Sequence, residues 1–319
     1  IGGNGEITYD QTRFANVSAR AAGSIWRVMK NVGDRVRTGE VIAVVDSLLV
    51  GQAKSELVDA LVEESLQQKT VNRLQGIGPA IAGRQVLEAE RALAKARIAV
   101  LEAQQTFANL GIPVDLDELR TLSIEEKVAR MRHHGIESAI GSVLLSKVAS
   151  ANLLPIRSPM DGVIVERHAM ADQVVDTSVI LFQIADTSRM WLNLNVPLED
   201  VGKLSLGQPV KFRPNGGLAE LTGTLNWIST GADKQTRMVK VRAELPNADG
   251  ALRDETFGAG RIVLREEPEA IVAPKESVHW EGCCHVAFVR DKHYFDAPDS
   301  PKVFHIRSVR LGAKRDLAV

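Results

Sequence analysis

Hydrophobic positions along the chain fall into three kinds of pattern. Residues 23–45, GSIWRVMKNVGDRVRTGEVIAVV, alternate as short β segments about a turn at 31–34, and residues 162–184, GVIVERHAMADQVVDTSVILFQI, lie over them at constant offset without a gap. Gly23 meets Gly162, Ile25 meets Ile164, Val36 meets Val175 and Val45 meets Ile184. Half a motif this short cannot bury a core alone, so the two copies are expected to pair into one β-sandwich. The residues between them are then an insertion.

The insertion has helical spacing. From 50 to 75 there is no Gly after Gly51 and no Pro, and apolar residues recur at Ala53, Leu57, Ala60, Val71 and Leu74, with Glu64 and Gln67 interrupting. GIGP at 76–79 breaks the run. Val86, Ala89, Leu93, Ala96, Val100, Ala103, Phe107 and Leu110 then alternate three and four apart, a heptad seam. Two helices of about 25 residues predict an antiparallel coiled-coil hairpin roughly 40 Å long. SIEE, with Ser123 as N-cap and Glu126 at N3, predicts a further short helix ended by Gly135. His133 and His134 in its last turn suit the helix dipole, because adjacent helical residues do not converge on one ion.

After Asp186 the period returns to two. MWLNLNVPLEDVGKLSLGQPVKF predicts strand, short helix around 198–204, and strand; LTGTLNWIST and RMVKVRAEL add strands, with PNADG as a turn. Together they predict a small β-barrel ending near Glu266. The tail continues as short strands about an EG turn at 281–282. Residues 1–20 have no partner nearby in sequence and are expected to pair with the C-terminal strands, closing a fourth unit.

Composition narrows the function. The 319 residues are 45% hydrophobic and 25% charged, enough for several packed units. A net charge of -1, with no block of like charge, gives no general pull toward nucleic acid or anionic lipid. No apolar run approaches the roughly 18 residues needed to cross a bilayer, so a soluble chain is expected. The chain opens on Ile1 without an initiator Met, as expected of a mature or trimmed fragment. No G-x-S-x-G, Gly-rich phosphate loop or H-E-x-x-H occurs; GIGPAIAG follows a helix, not a strand, and reads as a hairpin tip.

Metal chemistry remains. PKESVHWEGCCH, residues 274–285, concentrates a Glu, two His and both cysteines. As strand neighbours, Cys283 and Cys284 are expected on opposite faces, unable to grip one ion. A two-residue EG turn pairs Val278 with His285 and sets Glu276 diagonally on the same face; His279 points to the other face unless the chain kinks after Pro274. Glu276 with His285 and Glu276 with His279 both stand as candidate pairs. A distant third ligand is needed, and His168, at the mid-turn of the second sandwich half opposite Met29, is the choice. Imidazole and carboxylate suit Zn(II), with Co(II) or Ni(II) next. The six Met are scattered, with Met160 and Met170 the only close pair, which disfavours copper. A site of two or three residues with an open position binds and releases, as a transit protein requires.

The half-motifs GSIWRVMKNVGDRVRTGEVIAVVDS and IRSPMDGVIVERHAMADQVVDTSVILFQIADTSRMWLNLNVPLEDVGKLSLGQPV, the inserted hairpin and GTLNWISTGADKQTRMVKVRAELPNADGALR resemble the periplasmic adaptor, or membrane fusion, proteins. The capped helix after the hairpin is most similar to the heavy-metal efflux branch, zinc/cobalt type. One departure is ETFGAG at 255–260, where many members carry a Gly-Met pair, which leaves the start of the last barrel strand open. The resemblance implies a multidomain, mainly β fold with a long α-helical hairpin. It divides the chain into a membrane-proximal β domain (1–20 and 267–319), a lipoyl-like sandwich (21–48 and 154–187), a helical hairpin (49–153) and a β-barrel (188–266). It implies a non-enzymatic protein of the periplasm, associated with the inner membrane, linking a proton-driven pump of the resistance-nodulation-division class to an outer-membrane channel. It further implies self-association into a ring, a hexamer, with Arg73, Gln75 and Arg84 near the channel. The bound ion is expected to change the angle between domains. A metal-independent adaptor of multidrug efflux is the alternative. A lipoyl or biotin carrier is disfavoured, because the insertion starting at 46–51 replaces the turn that would present the modified Lys, and no organic cofactor is expected.

Overall fold

The computed structural model describes residues 1–76, 83–136, 151–216, 219–266, 273–295 and 302–312. Its two compact units are Ile1–Ile262 and Val263–Val319.

Within the first unit, the repeat builds two four-stranded sheets. Each copy contributes a strand, a very short strand and a second long strand: β3 (Gly23–Val28), β4 (Arg35–Val36) and β5 (Val41–Asp46) in one, β7 (Gly162–Arg167), β8 (Val174–Val175) and β9 (Ile180–Ala185) in the other. The copies interleave. β3 pairs with β8 of the other copy and β4 with β7, while β6 (Leu153–Arg157) and β2 (Phe14–Ser18) complete the sheets in the orders β6-β5-β3-β8 and β2-β9-β7-β4. The glycine shared by the two copies has a steric reason. A Cβ at Gly23 would stand 2.1 Å from the Asp46 carbonyl oxygen, and one at Gly162 would stand 2.7 Å from that of Ala185. Only glycine lets the backbones approach this closely.

The insertion springs directly from β5. Helix α1 (Leu48–Gly76) begins two residues after the strand ends, and α2 (Gly83–Leu110) returns. The α2 residues Ala89, Leu93, Ala96, Val100, Ala103, Phe107 and Leu110 are buried, which is the predicted seam apart from Val86, which is only half-buried. Of the predicted tip, GIGPAIAG at 76–83, Gly76 ends α1 and Gly83 begins α2, and 77–82 lie outside the described residues. At the root, Val50, Leu57, Phe107 and Ile112 share one apolar cluster with Ile25, Ile42 and Phe182 of the sandwich. Full burial of such side chains stabilises by roughly 1.5–3 kcal/mol each, so sandwich and hairpin root hold each other in place. Two short helices, α3 (Leu116–Thr121) and α4 (Ile124–Arg132), pack at that root. The predicted capping box is present: Ser123 Oγ accepts from the Glu126 amide, and the Glu126 carboxylate accepts from the Ser123 amide. The buried Lys54 ammonium donates to the Arg132 carbonyl at 3.2 Å, satisfying an orphan acceptor at the end of α4.

A closed six-stranded barrel follows, β1-β10-β13-β12-β11-β14. Its strands are β1 (Gly2–Tyr9), β10 (Arg189–Pro197), β11 (Pro209–Pro214), β12 (Leu221–Ala232), β13 (Met238–Pro246) and β14 (Phe257–Ile262). Here the structure corrects the sequence reading. Residues 1–20 pair within the first unit: β1 closes the barrel between β10 and β14, and β2 adds an edge strand to the sandwich. GGNGEITY is rich in glycine, and its glycines are what the closed barrel needs. Gly3 lies opposite Gly260 and Gly5 opposite Gly258, and a Cβ at Gly260 would stand 2.3 Å from Leu194 Cδ2. Leu194, itself buried, fills the space that the missing side chains leave. The last barrel strand starts at Phe257, after Glu255 turns through φ 59° with its amide on the Ile7 carbonyl.

The second unit is one antiparallel sheet, β15 (Val278–Trp280), β16 (His285–Arg290) and β17 (Phe304–Val309), in that order.

Candidate functional site

The proposed metal ligands lie in two places. His168 follows β7 in the first unit, held by its amide on the Leu181 carbonyl at 2.9 Å. Its Nε2 stands 3.1 Å from Glu166 Oε2, and both side chains are about half exposed. The surroundings are acidic. Burial raises the Asp254 carboxyl above the usual carboxylate range, with the Glu255 and Glu166 charges adding to it, and burial together with Asp254 and Glu166 raises the Tyr9 phenol.

Glu276, His279 and His285 belong to the second unit. Glu276 is exposed in a 3₁₀ turn, Lys275–Ser277, that follows Pro274. The strand register differs from the expectation. Trp280, not Val278, faces His285, because the connection is the four residues 281–284, with the Glu281 amide donating to the Cys284 carbonyl at 3.1 Å. A four-residue turn wins because only Gly282 adopts positive φ, at 82°, whereas a two-residue primed turn needs it at the first or at both central positions. The shift is an even number of residues, so the faces are unchanged. His285 lies on the Trp280 face, its ring 4.9 Å from the indole, and His279 lies on the other, its ring edge-on to Phe288 at 5.7 Å. The cysteines are corrected more fully. They lie in the turn, not in a strand, and their sulfurs are 3.4 Å apart. The Cys283 thiol is held above its usual range by the hydrogen bond and charge of Cys284. Among the described residues, no three His, Cys, Asp or Glu side chains converge to hold a metal.

Elsewhere in the second unit, His305 Nε2 lies 2.7 Å from Asp291 Oδ2, and this bond holds the Asp291 carboxyl below its usual range. At the hairpin root, His133 and His134 follow the end of α4 rather than sit in its last turn, and they are not a pair: His134 Nε2 bonds the Pro113 carbonyl at 2.8 Å, while His133 Nε2 is buried without a hydrogen-bond partner among the described residues. A groove of about 670 Å³ runs beside His134, lined also by Asp115, Asp117, Glu118 and Arg120 among others. The sequence reading missed the polar layer above it. Glu64, only 13% exposed, accepts from Arg120 at 3.1 Å and lies 3.8 Å from Arg97. Its interruption of the apolar spacing was the signal. Near the hairpin end, Arg73, Gln75 and Arg84 are exposed. No helix among the described residues is long and apolar enough to cross a membrane.

Residues 13–186, more than half of the chain, match the family model described as CzcB-like, barrel-sandwich hybrid domain. The chain belongs to the CzcB-like membrane fusion family. Residues 189–264 match a second model, the CusB-like beta-barrel domain, so the family's sandwich and barrel follow one another as in the structure. The cobalt-zinc-cadmium resistance protein CzcB of Cupriavidus metallidurans is 26% identical over 255 residues, 79% of this chain and 43% of that protein. The chain thus spans less than half the length of that relative. The macrolide export protein MacA of Yersinia pestis is 26% identical over 83% of this chain and 68% of its own. Among solved structures, ZneB from Cupriavidus metallidurans superposes with a TM-score of 0.52 at 23% identity, covering 82% of this chain and 96% of that one. A MacA-MexA chimera carrying the Pseudomonas aeruginosa MexA hairpin gives 0.58 at 16%, covering 83% and 82%. These likenesses are of fold.

Proposed function

We propose that this adaptor serves a heavy-metal efflux system, linking an inner-membrane pump of the resistance-nodulation-division class to an outer-membrane channel from the periplasm, with Zn(II) as the ion it binds. The single observation that carries the reading is the CzcB-like match over the sandwich and its inserted hairpin, together with a relative named for cobalt, zinc and cadmium resistance. In this reading the hairpin end, with Arg73, Gln75 and Arg84, meets the channel. Copies associate into a ring, for which a hexamer is proposed, supported by the exposed Ile98 and Leu101 on one face of α2. Zinc is assigned to His168 in its acidic setting and to Glu276 with His279 or His285. The ion changes the angle between domains to the extent that it binds one arrangement better than another.

Isothermal titration of Zn(II) into the wild type and into the single variants His168→Ala and Glu276→Ala tests the assignment. Each variant is expected to weaken binding at least tenfold, about 1.4 kcal/mol. Equal affinity in all three proteins removes these residues from the site. A second reading, export of organic compounds without a metal, is favoured by the macrolide exporter's similar identity over a larger share of its own length.

A further inference from the structure

The turn between β15 and β16 makes a pair out of two residues that a strand would have separated. Neighbours on a strand point to opposite faces. At Cys283 and Cys284 the turn instead brings two free thiols within 3.4 Å, with Cys283 exposed. Cys284 is half-buried, so the pair is reached from solvent at the Cys283 sulfur.

Two thiols this close could oxidise, bind a metal ion or condense with an oxyacid, and geometry discriminates among these. Neighbouring Cα atoms lie about 3.8 Å apart across a trans peptide. Unstrained disulfides need about 4.4 Å or more, so a bond here is strained and readily reduced. For ions, the sulfur separation decides. With metal–sulfur bonds of about 2.3 Å, a tetrahedral centre holds two sulfurs about 3.8 Å apart, a linear one about 4.6 Å, and one with near-right-angle bonds about 3.3 Å. The observed 3.4 Å fits the last, the geometry of a pyramidal trivalent centre. Zinc would also need further protein ligands, and among the described residues no third His, Cys, Asp or Glu joins the pair. A trivalent arsenic or antimony centre brings its own third substituent.

We propose that Cys283 and Cys284 form a capture site for trivalent arsenic and antimony oxyacids. In the condensation, both S–H bonds and two As–OH bonds break, two S–As bonds form, and the two protons leave with the two hydroxyls as two waters. The third hydroxyl stays on arsenic. Arsenic remains trivalent, no electron is exchanged, and the product is a cyclic dithiolate with a ring one atom larger than the disulfide's, which relieves the strain. The site shares no residue with the zinc ligands assigned above.

The test uses the full chain and phenylarsine oxide, which condenses with two thiols and releases one water. Intact mass should show a single phenylarsenic adduct, and thiol titration should fall from the chain's 2 cysteines to none. The adduct should survive excess glutathione and be released by a small 1,2-dithiol. Cys283→Ser and Cys284→Ser, both at a solvent-exposed turn, should each abolish the glutathione-resistant adduct with an unchanged circular dichroism spectrum, and arsenite should compete with the probe in the wild type. Three results would overturn the proposal: no adduct, an adduct that the single-cysteine variants retain, or a protein isolated without reductant whose thiols cannot be titrated even after unfolding.

Discussion

Glu64 interrupts an otherwise apolar helix face, and its partners explain why the interruption is tolerated. Its carboxylate is largely buried, with Arg120 from α3 and Arg97 from α2 beside it, so it fastens both elements to α1. Removing one partner of such a group leaves its charge undercompensated. Arg120→Ala is expected to lower stability by about 1–2 kcal/mol, discounted for the partial exposure of Arg120 itself, and urea unfolding of the two proteins checks it. Arg120→Lys should fall between them, because it keeps the charge and loses the fork that reaches both carboxylate oxygens. A pattern reading could flag Glu64 as an anomaly without finding its partners, since Arg120 is 56 residues away. The same limit applied to the shared glycines. Gly23 and Gly162 were visible as a repeat, but the carbonyl each one accommodates belongs to a different strand. Among the candidate ligands, the alternation correctly put His279 and His285 on opposite faces. The turn chemistry of 281–284 then moved the partner of His285 from Val278 to Trp280 and drew the two sulfurs together.

At the scale of elements, local signals were the most legible. The three-four spacing of α2 and the capping box of α4 need nothing beyond their own segments. That box makes a pH prediction. The Ser123 amide, and then its hydroxyl, hold the Glu126 carboxyl below its ordinary 4.5. A carboxyl lowered in the folded state contributes stability that is present above the ordinary value and lost as pH falls through the lowered one. The difference in urea midpoint between wild type and Glu126→Ala should therefore be constant near neutrality and narrow in acid below the ordinary carboxylate range. A difference that stays the same across that range would mean that the ionised carboxylate adds nothing to the cap. What local signals could not supply was long-range pairing. β1 joins strands 189–197 and 257–262, and although a strand was expected in this glycine-rich segment, its partners did not show in the alternation. Only barrel closure around Leu194 gives those glycines a purpose.

For the whole molecule, an interleaved sandwich anchors a hairpin of about 44 Å, from 29 residues at 1.5 Å each, and the chain continues from it into a closed barrel. The sandwich core runs into the hairpin root, so force or displacement along the hairpin reaches the sandwich without a flexible joint at that point. This suits the proposed adaptor role, in which contact must be carried over a distance. The central claim is that the ion served is a heavy metal. The most direct measurement is zinc tolerance and cell-associated zinc in the organism that encodes the protein, with its gene deleted and then restored at full length. The account predicts that deletion lowers zinc tolerance and raises cell-associated zinc, that restoration reverses both, and that sensitivity to macrolides does not change. Unchanged zinc tolerance with increased sensitivity to organic compounds would contradict it.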